Sequence, residues 1–232
     1  MGETISIAAL DGSGGIPAYV AMPKEAPRGA IVVIQEIFGI NSGIRAKADE
    51  WAGLGYVAIA PDLFWRFAPG VELDPDVPDQ LQAAFANVQK FDVDTGMADI
   101  ETTIREARDR AGARKVGVVG FCLGGRLAYL AATRTDADAS VGYYGGGIDQ
   151  KLGEAAAISN PLMLHFAGDD SHIGPEAVSA IEAALQDKPG FRLFVYPGAG
   201  HGFAANSGQR RNEAAATTAD DRTRAFIAEH IG

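Results

Sequence analysis

The 232 residues carry 20 Lys and Arg against 30 Asp and Glu, a formal net charge of −10 at pH 7, with a single cysteine. That length suits one α/β domain over residues 1–232 and buries roughly 70–75% of the unfolded surface, so no metal or disulfide staple is required. The acidic balance opposes nucleic acid and anionic membranes, the lone Cys122 excludes an intrachain disulfide, and no Cys/His cluster has zinc-ligand spacing.

The first residues, MGETISIAALDGSGG, lack the basic start and apolar run of a secretory signal, and no window nears ~18 uninterrupted apolar residues. A cytoplasmic protein is expected, monomeric or weakly dimeric, acting on a small molecule without cofactor or metal. Ser6–Ala9 and Ile16–Ala21 read as two strands joined through the turn-forming Asp11-Gly12-Ser13-Gly14-Gly15, an antiparallel hairpin at a sheet edge. Ala30–Ile34 is a continuous apolar run, the mark of a strand covered on both faces, and it ends in Gln35-Glu36-Ile37-Phe38-Gly39. Ile44, Ala48, Trp51, Ala52 and Leu54 form a helical stripe that stops at Gly55, followed by the strand Tyr56–Ala60. The aromatic-rich loop Pro61–Gly70 then leaves the carboxyl end of that strand, where α/β sheets bind ligands, although loop aromatics more often cover core.

Helical patterns follow over 79–90 and 94–111. Val116–Gly120 is a buried strand that turns at Cys122 into a helix marked by Leu123, Leu127 and Leu130. Further strands are expected at Ala139–Tyr144, Pro161–Phe166 and Phe191–Tyr196, with helices at Pro175–Leu185 and Glu213–His230. Alternating strands and helices predict an α/β architecture: a mostly parallel central sheet, helices on both faces and an antiparallel N-terminal edge.

Gly120-Phe121-Cys122-Leu123-Gly124 has the G-x-C-x-G spacing of a nucleophile elbow, in which strained backbone presents the reactive side chain at a strand-to-helix turn. The bland alternative is a tightly packed turn with a small buried thiol. An acid and a histidine follow in chain order, each just beyond a strand: Asp169 or Asp170 after Phe166, and His201 within Gly198-Ala199-Gly200-His201-Gly202. That order is the one used by α/β-hydrolases, with cysteine where serine usually stands. His165 lies inside a strand and is expected to pack there, His172 could line the mouth of the site, and His230 is terminal. Strand alternation alone does not separate Asp169 from Asp170.

Gln35-Glu36-Ile37-Phe38-Gly39, Gly55-Tyr56 through Pro61-Asp62-Leu63, Gly120–Gly125, Val141–Gly145 and Gly200-His201-Gly202-Phe203 together resemble the dienelactone hydrolase family. The resemblance implies a catalytic Cys122, His201 and Asp170, and gives Glu36 the role of helping to ionise the cysteine. A salt bridge from Glu36 to Arg45 or Arg126 is the simpler alternative. The oxyanion hole would be the backbone N–H groups of Leu123 and Ile37, with Phe38, Arg66, Leu81, Phe85, Tyr144 and Phe203 about the substrate. Two arginines that the family uses to hold a substrate carboxylate fall at Leu81 and Ala205 here, so Arg66, Arg210 or Arg211 would have to substitute. Three readings remain in view: a dienelactone-type hydrolase, an esterase for neutral or apolar esters, and a non-catalytic ligand or thiol sensor.

Overall fold

In the computed structural model, which describes residues 2–232, the chain divides at the start of the fifth strand into two units, 1–116 and 117–232. In the first, β1 (Glu3–Ala8) and β2 (Gly15–Ala21) form the expected hairpin, with Glu3 opposite Val20 and Ala8 opposite Gly15. The observed β1 begins before the Ser6 expected from sequence. It is an exposed edge, held by backbone pairing rather than by an alternating apolar face. β2 pairs antiparallel with β4 (Tyr56–Pro61), and β4 runs parallel to β3 (Gly29–Ile34), giving the order β1-β2-β4-β3. β3 and β4 are buried along their whole length, as their unbroken apolar sequences require.

α1 (Ser42–Gly53) is capped by Asn41, whose side-chain oxygen accepts the Ile44 N–H at 3.2 Å, and it buries the expected Ile44, Ala48 and Trp51. α2 (Pro78–Val88) starts with proline at its first position, and Asp92 caps α3 (Val93–Arg110). The loop after β4 folds around Asp62, whose two carboxylate oxygens accept the N–H groups of Phe64 at 2.9 Å and Gly70 at 2.8 Å. Its aromatics divide in purpose. Phe64 is core, packed against Phe67 and Phe91, while Trp65 donates its indole N–H to Asp99 at 2.9 Å.

The second unit is a parallel sheet in the order β5-β6-β7-β8: β5 (Val116–Phe121), β6 (Ala139–Tyr143), β7 (Leu162–Ala167) and β8 (Arg192–Tyr196). α4 (Leu123–Arg134), α5 (Pro175–Leu185) and α6 (Glu213–His230) belong to it. A 3-10 helix at Asp149–Ala157 was not expected from sequence, because its Ala-rich run is broken by Gly153 and shows no apolar period. Register sets Phe121, Tyr143, His165 and Phe194 side by side across the four strands. Consequently β5, β7 and β8 all end at one carboxyl edge, and the loops that leave them start as neighbours. Among the described residues no helix is long and apolar enough to cross a membrane.

Candidate active site

Cys122 stands immediately beyond β5 with φ 54° and ψ −111°, a conformation that costs a non-glycine residue roughly 1–3 kcal/mol. Hydrogen bonds on both sides of the residue hold it there. Its N–H donates to Tyr143 O at 3.0 Å, and its carbonyl accepts the N–H groups of Gly125 at 3.0 Å and Arg126 at 3.2 Å, which starts α4. The glycines are steric requirements: a Cβ on Gly120 would lie 2.0 Å from Gly124 O, and one on Gly125 would lie 2.3 Å from Tyr143 O. Leu123, as the first residue of α4, has an N–H with no carbonyl four residues back to receive it, so it is available to an anion at the helix mouth.

The loops after β7 and β8 are fastened to each other. Gly168 N–H donates to Tyr196 O at 2.8 Å and Asp169 N–H donates to Ala199 O at 2.9 Å. This pairing turns Asp169 outward and Asp170 inward. Asp170 Oδ1 accepts the His172 N–H at 2.8 Å, and its Oδ2 lies 2.9 Å from His201 Nδ1. On the other side of the ring, His201 Nε2 is 3.2 Å from Cys122 Sγ. The side chain of Asp170 is 1% exposed and that of His201 17% exposed, so solvent reaches the ring and not the carboxylate. The edges of Tyr144 and His172 flank the imidazole at 5.2 Å and 5.0 Å between centroids.

Charge follows from that packing. Burial opposes a charged imidazole, but the hydrogen bonds to Asp170 and Cys122 and the charges behind them outweigh it, and the His201 pKa is pushed up to about 10. Burial also opposes the Asp170 carboxylate, yet the His201 and His172 hydrogen bonds hold its pKa below the ordinary value. A sulfur, an imidazole and a carboxylate thus form one hydrogen-bonded line.

The other residues expected at the site are distributed differently. Glu36 and Ile37 are buried just beyond β3, where the Gln35 amide donates to Glu36 O at 3.2 Å while its oxygen accepts Leu63 N–H at 3.0 Å. Gln35 is a positioning residue that the sequence reading passed over; its place between a strand end and an aromatic loop was the available signal. Phe38, Tyr144 and Phe203 are buried, Leu81 is half-buried on α2, and Phe85 is half exposed there. Arg66 does not offer a free cation. It pairs with Asp99 at 2.8 Å and Asp11 at 3.0 Å, bonds Ser13 and lies over the Trp65 ring. Arg211 pairs with Glu213 at 2.7 Å and donates to Ala205 O at 2.9 Å. Arg210 lies against Gly202, where an added Cβ would be 2.6 Å from its Nη1.

A strained strand-to-helix elbow, followed in chain order by a carboxylate and an imidazole on the same sheet edge, is the arrangement of the α/β-hydrolase fold. The dienelactone hydrolase family model matches residues 16–231, and the chain belongs to that family. It is 38% identical to carboxymethylenebutenolidase 1 of Cupriavidus pinatubonensis, over 93% of each chain. It is 37% identical to the carboxymethylenebutenolidase of Pseudomonas putida, over 97% of this chain and 96% of that one. A crystal structure of a candidate dienelactone hydrolase from Klebsiella pneumoniae superimposes with a TM-score of 0.86 at 28% identity, covering 99% of both chains. Membership makes the protein a hydrolase of the dienelactone type.

Proposed function

We propose that the protein hydrolyses a small carboxylic ester or lactone through an acyl-enzyme on Cys122. With the sulfur's proton held on His201 Nε2, Sγ attacks the carbonyl carbon, and the carbonyl π electrons move onto oxygen. The Leu123 N–H at the mouth of α4 receives this oxyanion. On collapse the C–O bond to the leaving group breaks and His201 returns its proton to the departing alkoxide. Water then attacks the thioester, His201 takes its proton, and sulfur leaves. Asp170 holds the ring in orientation and stabilises its charged form throughout.

The observation that carries this reading is the continuous line from Cys122 Sγ through His201 to Asp170, at 3.2 and 2.9 Å. A reduced thiol is needed at every turnover, which suits the cytoplasm. Cys122→Ala should abolish hydrolysis of p-nitrophenyl acetate and of enol lactones while the far-ultraviolet circular dichroism is retained. Intact mass spectrometry of the wild type during turnover should find an acyl adduct on Cys122. Turnover by the alanine variant would overturn the assignment and leave a ligand- or thiol-sensing role to be tested.

A further inference from the structure

The net charge of −10 means that any anionic substrate must be met by a local cation, and the arginines suggested by sequence are engaged elsewhere: Arg66 with Asp99 and Asp11, Arg211 with Glu213. Arg126 is different. It sits four residues after Cys122, so both occupy one face at the start of α4. Its side chain runs beside Gly147, where an added Cβ would lie 3.4 Å from Nη1 and 3.6 Å from Cδ. Gly145 approaches its main chain, a Cβ there meeting Arg126 N at 2.6 Å. The Gly145-Gly146-Gly147 stretch follows the carboxyl end of β6, so the guanidinium is led along the sheet edge at which the nucleophile stands.

Among the described residues no carboxylate is paired with this half-buried side chain, and its Nε is buried without a hydrogen-bond partner. Burial lowers its pKa, and the only charge that raises it again is that of Cys122. A guanidinium taken partly out of water without a counter-ion is costly, and its planar fork matches an oxyanion two-point donor to two-point acceptor. A structural arginine would be paired; Arg126 is half-buried and unpaired, with its Nε shut off from water.

We propose that Arg126 is the specificity-determining residue of this hydrolase, receiving a carboxylate carried by the ester or lactone substrate while Cys122 attacks the carbonyl. The proposal rests on the reading of Cys122 as nucleophile and places anion recognition on the elbow helix itself, away from Leu81 and Ala205. A substrate bearing a carboxylate is then selected over its neutral methyl ester by the charge at position 126.

Two ratios test it, each taken within one protein sample so that a misfolded fraction cancels. The first is the rate of alkylation of Cys122 by anionic iodoacetate divided by that by neutral iodoacetamide; in both, sulfur displaces iodide. The second is kcat/KM for a carboxylate-bearing lactone divided by that for its methyl ester. Arg126→Met should lower both ratios roughly tenfold to a hundredfold, the worth of a charge-assisted hydrogen bond, and Arg126→Lys should restore part of the loss. Ratios equal to those of the wild type in Arg126→Met would overturn the proposal even if Cys122 is the nucleophile. A fall in both members of each pair by one common factor would overturn it too, assigning Arg126 to the thiol rather than to the substrate. Failure of the underlying reading has a separate signature, hydrolysis that survives Cys122→Ala.

Discussion

His201 and His165 belong to the same unit, and their imidazoles are driven in opposite directions. His201, in the loop after β8, stands between a buried carboxylate and a sulfur and holds its proton up to about pH 10. His165, inside β7, lies between neutral hydroxyls, with Nδ1 at 2.9 Å from Tyr196 Oη and Nε2 at 3.0 Å from Thr223 Oγ1. Burial, aided by the nearby positive charge of Arg222, pushes its pKa down to about 3. Thr223 passes the network on to Tyr143 at 2.6 Å, and Tyr143 donates to Asp220 at 3.0 Å. The ring is identical in the two places. A buried carboxylate and a sulfur at hydrogen-bond distance hold a proton on the partly exposed ring, whereas hydroxyls in a dry core make the other a neutral strut between β7, β8 and α6.

The most severe way to break this contrast is to remove the anion behind His201. Asp170→Asn keeps the shape of the carboxylate and loses its charge, so the amide can present its N–H₂ to Nδ1 and favour the wrong tautomer. We expect kcat to fall roughly 10³- to 10⁴-fold, the scale known for this change in a Ser-His-Asp triad. The proton on His201 should also become easier to remove, because the Asp170 hydrogen bond is the first of the contacts that hold it. The imidazole titration followed by NMR in the two proteins measures this shift directly. A variant retaining a tenth of the wild-type rate would remove Asp170 from the machinery.

The second prediction sharpens the contrast through stability. His165 has a folded-state pKa far below its ordinary value of 6.5, so the unfolded chain binds its proton first as pH falls. The stability it contributes is present above pH 6.5 and is lost as pH falls from there to about 3, on the order of 4–5 kcal/mol as a ceiling. His201 has the opposite sign. Its raised pKa contributes stability fully present below pH 6.5 and lost as pH climbs through about 10. Urea midpoints across pH 3–10 should therefore fall less steeply on the acid side in His165→Asn than in the wild type, and less steeply on the alkaline side in His201→Asn. Parallel curves for all three proteins would refute both assignments.

Much of this was legible in the chain. Chemistry carried by adjacent residues could be read directly: the elbow glycines, the continuous apolar strands, and the order of thiol, acid and imidazole all lie in short segments whose steric demands are local. What was missed depended on partners distant in sequence. Strand alternation could not separate Asp169 from Asp170, and the choice of Asp170 rested on family resemblance, because the backbone bond from Asp169 to Ala199 that turns Asp170 inward joins residues distant in sequence. Arg66 read as a possible substrate cation because its partners Asp11 and Asp99 come from the N-terminal hairpin turn and from α3. A Cβ on Gly125, outside the G-x-C-x-G spacing, would meet the backbone of β6 at 2.3 Å, almost as tightly as the 2.0 Å at which one on Gly120 would meet that of α4. Arg126 could be named but not valued, since what sets it apart is the lack of a paired carboxylate.

The smallest effect concerns Glu36, a buried carboxylate just beyond β3. The family resemblance gives it a part in ionising the thiol, and it stands just beyond the fully buried β3. Glu36→Gln keeps the volume and removes the charge. If Glu36 assists the thiol, iodoacetamide should alkylate Cys122 roughly two- to fivefold more slowly, the size of one partly screened charge interaction. If Glu36 instead serves only to anchor its own loop, the melting temperature should fall while the alkylation rate stays at the wild-type value. Because iodoacetamide is neutral and small, its rate reports on the sulfur alone, which separates an effect of Glu36 on the nucleophile from the effect proposed for Arg126 on what the nucleophile attacks.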